Sequence, residues 1–173
     1  MKKIITTVSR LAWIAVLLQP NPAWSQERHQ AVEKHVEIFG KGQQAEVEGD
    51  GLAELGKPAQ AAYERAIRYY QETLAAKAEF LPAYTRLSRV YGVQRKHAQA
   101  VALLKLGLSK YPNNLELKQQ LGTHLLLSGY TDQGVAVLED VVKAQPKNTV
   151  VHRVLATEYL RAGQPAKAAT ALS

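Results

Sequence analysis

Residues 84–112 read YTRLSRVYGVQRKHAQAVALLKLGLSKYP, and the same spacing returns before the chain ends. Stepping by 34 residues carries Leu87 to Leu121 and Leu155, Ser88 to Gly122 and Ala156, and Tyr91 to Leu125 and Tyr159. The same step carries Ala100 to Gly134 and Ala168, Leu104 to Leu138 and Leu172, and Pro112 to Pro146. An ordinary helical bundle also shows apolar residues at helical spacing, but it lacks a fixed period. A period of this length marks stacked copies of one small unit.

Each column has a physical reason. Leu87, Ser88 and Tyr91 are offset by three and four residues, which places them on one helical face. Ser88, Gly122 and Ala156 are small because two helix backbones approach closely there, and Ala100, Gly134 and Ala168 play the same part on the second helix. Gly129 and Gly163 lie one period apart just past a first helix, where a residue that accepts positive φ ends a helix cheaply. Arg95 fills that slot in the first unit, so its turn is expected to be less tight. Pro112 and Pro146 stop the second helices, having a fixed φ and no N–H. No stretch after Pro58 alternates with period two between turn residues, so no strand is expected.

The pattern Tyr84-x-x-Leu87-Ser88-x-x-Tyr91, then Ala100-x-x-x-Leu104, then Pro112, resembles the tetratricopeptide repeat, a helix-turn-helix unit. The resemblance implies an all-α solenoid of stacked antiparallel helix pairs, with units at 81–114, 115–148 and 149–173, the last incomplete at its second helix. Stepping backward puts Ala66, Tyr70, Thr73 and Leu74 in register with Ala100, Leu104, Gly107 and Leu108, so 58–80 reads as the second helix of a divergent unit. Its first helix is not where the period would put it, because Ala53, Glu54 and Lys57 occupy the packing slots. The partner is expected in the segment from Gln26 to Phe39, whose stripe of Ala31, Val32, His35, Val36 and Phe39 would end at Gly40 and Gly42. Residues 26–57 therefore read as an N-terminal helix followed by a Gly-rich acidic loop, disordered over 41–55.

Residues 1–25 form a different object. Lys2 and Lys3 precede an apolar run that ends in Leu11–Leu18, followed by Pro20, Pro22 and the small residues Ala23 and Ser25. This is the layout of a cleavable signal peptide, with the cut expected between Ser25 and Gln26. The uninterrupted apolar stretch after Arg10 is too short for the roughly 20 residues that span a bilayer, so no stable membrane span is expected after cleavage. The alternative is an inner-membrane anchor made by an uncleaved leader. Export to the periplasm is the expected localisation.

The chain carries a formal charge of +7 and no cysteine. Loss of Lys2, Lys3 and Arg10 with the leader would leave 19 basic and 15 acidic residues. Ten acidic and seven basic residues fall between Glu27 and Glu79, against five acidic and twelve basic between Phe80 and Ser173. The repeats are positive and the N-terminal segment negative. That asymmetry suits an acidic partner, or the acidic segment folding back over the repeats. Nucleic acid is not expected as a partner, since no aromatic strand motif or zinc-finger spacing is present.

Chemistry finds no residues to carry it. His29, His35, His97, His124 and His152 are scattered, with none spaced for a helical zinc site. His124, followed by three leucines, reads as a partly buried helix residue. Nucleophile-elbow and phosphate-loop motifs are missing. Neither enzymatic activity, nor a metal, nor a cofactor is expected.

The resemblance further implies a concave groove lined by the first helix of each pair. Its lining positions here are Pro82, Thr85, Arg89 and Gly92, then Glu116, Gln119, Thr123 and Leu126, then Val150, Arg153, Thr157 and Leu160. The residues singled out for a partner are Thr85, Arg89, Gln119, Thr123, Leu126, Arg153, Thr157 and Leu160. The Lys and Asn of the family's carboxylate clamp are replaced by Thr85 and Arg89, then Gln119 and Thr123, then Arg153 and Thr157, so chaperone tails are not expected. A protein or peptide, acidic in character, is the expected partner, with an anionic glycan or peptidoglycan fragment as the alternative. Ala168, Ala169, Ala171 and Leu172 are offered for burial near the end, with no capping helix after them. Either the chain is a piece of a longer repeat protein or that uncapped helix meets another chain, which leaves room for self-association.

Overall fold

The computed structural model describes the backbone of residues 22–172 and the side chains of residues 34–172. The expected leader lies mostly outside the described residues; Pro22 to Ser25 form the first turn of the first helix. Eight α-helices follow one another among the described residues: α1 Pro22–Glu54, α2 Gln60–Ala76, α3 Leu81–Val93, α4 His97–Lys110, α5 Leu115–Leu127, α6 Thr131–Ala144, α7 Thr149–Arg161 and α8 Pro165–Leu172. Each packs against its sequence neighbour, and α3 also meets α5. The architecture is an all-α solenoid.

The period is visible in the turns. Lys96 donates to the carbonyl of Tyr91, Tyr130 to that of Leu125 and Gln164 to that of Tyr159, at 2.8, 2.9 and 2.8 Å. Each bond spans five residues around a left-handed residue: Arg95 at φ 56°, Gly129 at 83° and Gly163 at 68°. This is the Schellman closure, which satisfies carbonyls that a helix end leaves without partners. The turn at Arg95 is therefore the same turn as the other two. The looser geometry expected from its side chain does not occur, because the flanking helices fix the backbone path and arginine adopts it. Asn114 and Asn148, also one period apart, cap α5 and α7 by accepting from the backbone N–H groups of Leu117 and Val151.

The core is a column of three clusters. Tyr63, Ala66, Ile67 and Tyr70 of α2 meet Leu87, Val90 and Tyr91 of α3. Tyr84 and Leu104 meet Leu117, Leu121 and Leu125. Leu138 and Val141 meet Val151 and Leu155. Small residues set the approach within a pair. A Cβ on Gly122 would fall 2.6 Å from Leu138 and 3.2 Å from the Gly134 carbonyl.

One expectation is overturned. Residues 41–55 are not a disordered loop, and Gly40 and Gly42 do not end the N-terminal helix; α1 runs through them to Glu54 and closes at Gly56. The physical reason lies across from it. A Cβ on Gly42 would stand 2.6 Å from the Tyr70 ring, and one on Gly49 would stand 2.7 Å from the Tyr63 ring. These glycines, seven residues apart on one face with Ala45 between them, make room for two tyrosines. Gly42 lies over Tyr70 as Gly122 lies over Leu138, two periods later, whereas a strict period would have placed Glu54 there. The first pair thus keeps the packing rule with its first helix moved along the sequence.

Candidate functional site

The first helices α1, α3, α5 and α7 meet through polar side chains. Ser88 of α3 donates to Gln120 of α5. Asn148, the cap of α7, donates to Gln119 of α5 at 3.0 Å. Between α3 and α5 opens a cleft of about 530 Å³ lined by Thr85, Arg86, Arg89, Glu116, Gln119, Gln120, Thr123 and His124. Four of the expected groove residues, Thr85, Arg89, Gln119 and Thr123, therefore share one cleft.

The others do not join them. Arg153, Thr157 and Leu160 are exposed on α7 outside this cleft, with Leu160 at 59%. Leu126 is withdrawn from the groove. Its side chain fills the space above Gly134, where a Cβ would be 2.8 Å away, and it packs against the cluster of Leu138 and Leu155. The missing side chain at Gly134 draws the leucine inward.

Arg89 is also not a free cation awaiting a partner. One guanidinium nitrogen donates to Glu46 at 2.6 Å and another to Asp50 at 2.8 Å, both on α1. Arg86 stands 3.6 Å from the same Glu46 oxygen, and the second Glu46 oxygen accepts from the Tyr70 hydroxyl. Glu46 is 2% exposed, so its charge sits away from water and needs these partners. Burial first, then the bond to Glu46, pushes the Tyr70 hydroxyl far above its ordinary range. Burial with the bond to Asp50 raises Tyr63 to about 12. For Arg89, burial works against the charge, and the bonds to Asp50 and Glu46 outweigh it and raise its pKa. The acidic segment folds back over the repeats, as a helix.

Sequence reading missed this network. Its signal was present: Glu46 and Asp50 are four apart, so they share a helix face, and Arg86 and Arg89 are three apart on another. Treating 41–55 as a loop hid the first pair. The His97 and His124 rings also come together, their Nδ1 atoms 3.2 Å apart. One ring donates and the other accepts, which requires that they not both be protonated. His124 is buried on the helix as expected, and burial, then the nearness of His97, lowers its pKa.

Among the described residues, no three His, Cys, Asp or Glu side chains are grouped to hold a metal ion, and no helix is long and apolar enough to cross a membrane.

Residues 94–158 match the family profile described as the tetratricopeptide repeat. That segment, holding α4, α5, α6 and most of α7, is tetratricopeptide repeat sequence. No curated protein sequence matches it significantly. Several solved tetratricopeptide structures share its fold. MamA, residues 41 to the end, from Desulfovibrio magneticus RS-1, superposes with a TM-score of 0.60 at 18% identity, covering 84% of each chain. The second tetratricopeptide domain of human RPAP3, solved in complex with an HSP70 peptide, gives 0.57 at 18% identity over 72% of this chain and 97% of that one. The Thermobaculum terrenum O-GlcNAc transferase gives 0.58 at 16% identity over 75% of this chain, but only 22% of the transferase is covered. At these identities the likeness establishes the shared tetratricopeptide architecture.

Proposed function

We propose that this chain is a non-enzymatic protein-interaction scaffold of the bacterial cell envelope, which takes a segment of a partner protein in the groove along its first helices. The observation that carries the reading is the cleft between α3 and α5. Thr85, Gln119, Gln120 and Thr123 place hydroxyl and amide groups along it, between Arg86 on one wall and Glu116 on the other. Amide side chains both donate and accept, which suits the alternating N–H and C=O groups of an extended peptide. The human domain of the same fold is bound to a peptide. Placement in the periplasm rests on the leader pattern of residues 1–25.

The anionic-glycan reading needs arginines that the fold has already used. Arg89 is committed to Glu46 and Asp50, which leaves Arg153, outside the cleft, as the exposed cation of that pair. An acidic peptide would instead meet Arg86, whose contact with Glu46 is long at 3.6 Å.

The reading is tested with a photo-crosslinking residue placed at Thr123 in the cleft, or at Leu106, exposed on α4. Irradiated cells should give a discrete protein adduct from the Thr123 position in the envelope fraction and none from Leu106. Matching adducts from both positions, or glycan alone at Thr123, would overturn it.

A further inference from the structure

Each first helix passes to its second helix through the same turn, so these turns lie along one edge of the stack. Lys57 donates to the Leu52 carbonyl at 2.8 Å around Gly56 at φ 64°, the same closure as at Arg95, Gly129 and Gly163. At every one of these turns a large apolar side chain stands in solvent: Leu55, then Val93, then Leu127 with Tyr130, then Leu160, all between 46% and 70% exposed. Single exposed apolar residues are ordinary on any protein surface. Recurrence at four successive turns of one edge is not. The turns of the opposite edge, 77–80, 111–114 and 145–148, carry no exposed large aliphatic or aromatic side chain.

Cations accompany this row. Lys57, Arg95 and Lys96 belong to the first two turns and form no ion pair among the described residues. Lys96 also lines a cleft of about 470 Å³ with Glu64, Arg65 and Arg68 of α2. Glu48 holds Arg65 at 2.5 Å and Glu64 accepts from Gln60 at 2.6 Å, which leaves Arg68 and Lys96 as the charges of that cleft without an ion-pair partner. The matching cleft two periods on has Asp132 for Glu64, Ala136 for Arg68 and Gln164 for Lys96, with Glu139 and Glu158 beside them. The basic cleft is therefore particular to the second turn and is no general product of the repeat. The carboxylates along the edge are Glu54 and Asp132, together with Glu158, which Arg161 holds at 2.6 Å.

We propose that this edge rests on an anionic bilayer surface, the five exposed apolar side chains entering the interface and a lipid headgroup phosphate seating between Arg68 and Lys96. The apolar side chains are spread one or two to a turn along the whole edge instead of being gathered into one pocket, so they offer a partner protein no shaped seat. A lipid interface accepts separate aliphatic and tyrosine side chains without a matching shape, and its negative potential draws lysine and arginine that have no partner in the chain. No spanning helix is required. The groove along α3 and α5 is built from other residues and remains open, so the contact stands independently of what that groove binds.

The chain has no cysteine, so introduced thiols report cleanly. Single cysteines in the full chain, Val93→Cys and Leu127→Cys on the edge, Val150→Cys at the opposite edge and Leu106→Cys on α4, are each labelled with a fluorophore that brightens in an apolar medium. All four positions are exposed, so the label starts in water. Vesicles of phosphatidylglycerol and phosphatidylcholine in equal parts should raise the emission severalfold at Val93 and Leu127 and leave Val150 and Leu106 unchanged. Phosphatidylcholine alone should move none of them. Adding Arg68→Gln and Lys96→Gln to the Leu127→Cys chain should raise the lipid concentration needed for half the response about thirtyfold, with thermal unfolding by circular dichroism unchanged. The proposal is overturned if all four positions respond alike, as attachment through residues 1–25 alone would give, or if no position responds to the anionic vesicles. It is equally overturned if lipid-free envelope protein gives the edge response that vesicles do not, or if the two glutamines leave the lipid dependence as it was.

Discussion

Arg95 holds a left-handed backbone at φ 56°, the one positive φ outside glycine among the described residues. Its equivalents one and two periods on are glycines that close the same five-residue hydrogen bond. A side-chain-bearing residue loses about 1 kcal/mol in that region through the approach of its Cβ to the backbone. Arg95→Gly should therefore make the chain more stable by up to about 1 kcal/mol, the larger backbone entropy of unfolded glycine taking back part of the gain. Urea unfolding followed at 222 nm measures it, and a clear loss would mean that the arginine side chain makes contacts that outweigh its backbone strain. The slot was legible in the sequence, since Gly129 and Gly163 name it. What could not be read there was that the helices on either side would impose the turn on arginine.

At the scale of the element, α1 is decided by its glycines. Gly40 and Gly51 lie over open space, and Gly42 and Gly49 lie against tyrosine rings. Helix propensity treats all four alike, at roughly 1 kcal/mol each against alanine, which is why the segment reads as a break. Packing separates them. Gly42→Leu would drive a side chain into Tyr70 and should cost about 3 kcal/mol, the upper part of the range for overpacking, whereas Gly40→Leu should be neutral or mildly stabilising. Thermal unfolding of the two variants side by side decides it; equal effects would mean that the tyrosines do not hold α1. Helices α3 to α7 were legible because their apolar columns recur every 34 residues. For α1, the informative fact was the pairing of absent side chains with the Tyr63 and Tyr70 rings, a long-range complementarity that no local pattern carries. The candidate site divides the same way: Thr85, Gln119 and Thr123 followed from helical spacing, while the engagement of Arg89 depended on a helix that the glycines had concealed.

The whole molecule is a row of units coupled through neighbours, and its titrating groups sit at successive junctions. Tyr63 at the α1–α2 contact and Tyr159 beside Glu139 are both raised to about 12, by burial first and then by their carboxylate partners. His124 at the α4–α5 junction is lowered, by burial first and then by His97. The unfolded chain therefore takes up a proton at His124 before the folded chain does, and stability falls as pH drops below the ordinary histidine value of about 6.5. At the alkaline end, the unfolded tyrosines ionise near 10 while Tyr63 and Tyr159 stay protonated to about 12, so stability falls again above about pH 10. A plateau between these limits is expected, with each group contributing a slope of at most about 1.4 kcal/mol per pH unit. Urea unfolding from pH 5 to 11 tests this, provided His124→Gln and Tyr63→Phe are run beside the parent. His124→Gln should flatten the acidic limb alone, and Tyr63→Phe should reduce the alkaline limb alone. If either substitution altered both limbs equally, the pH dependence would belong to the net charge of the stack and not to these junctions.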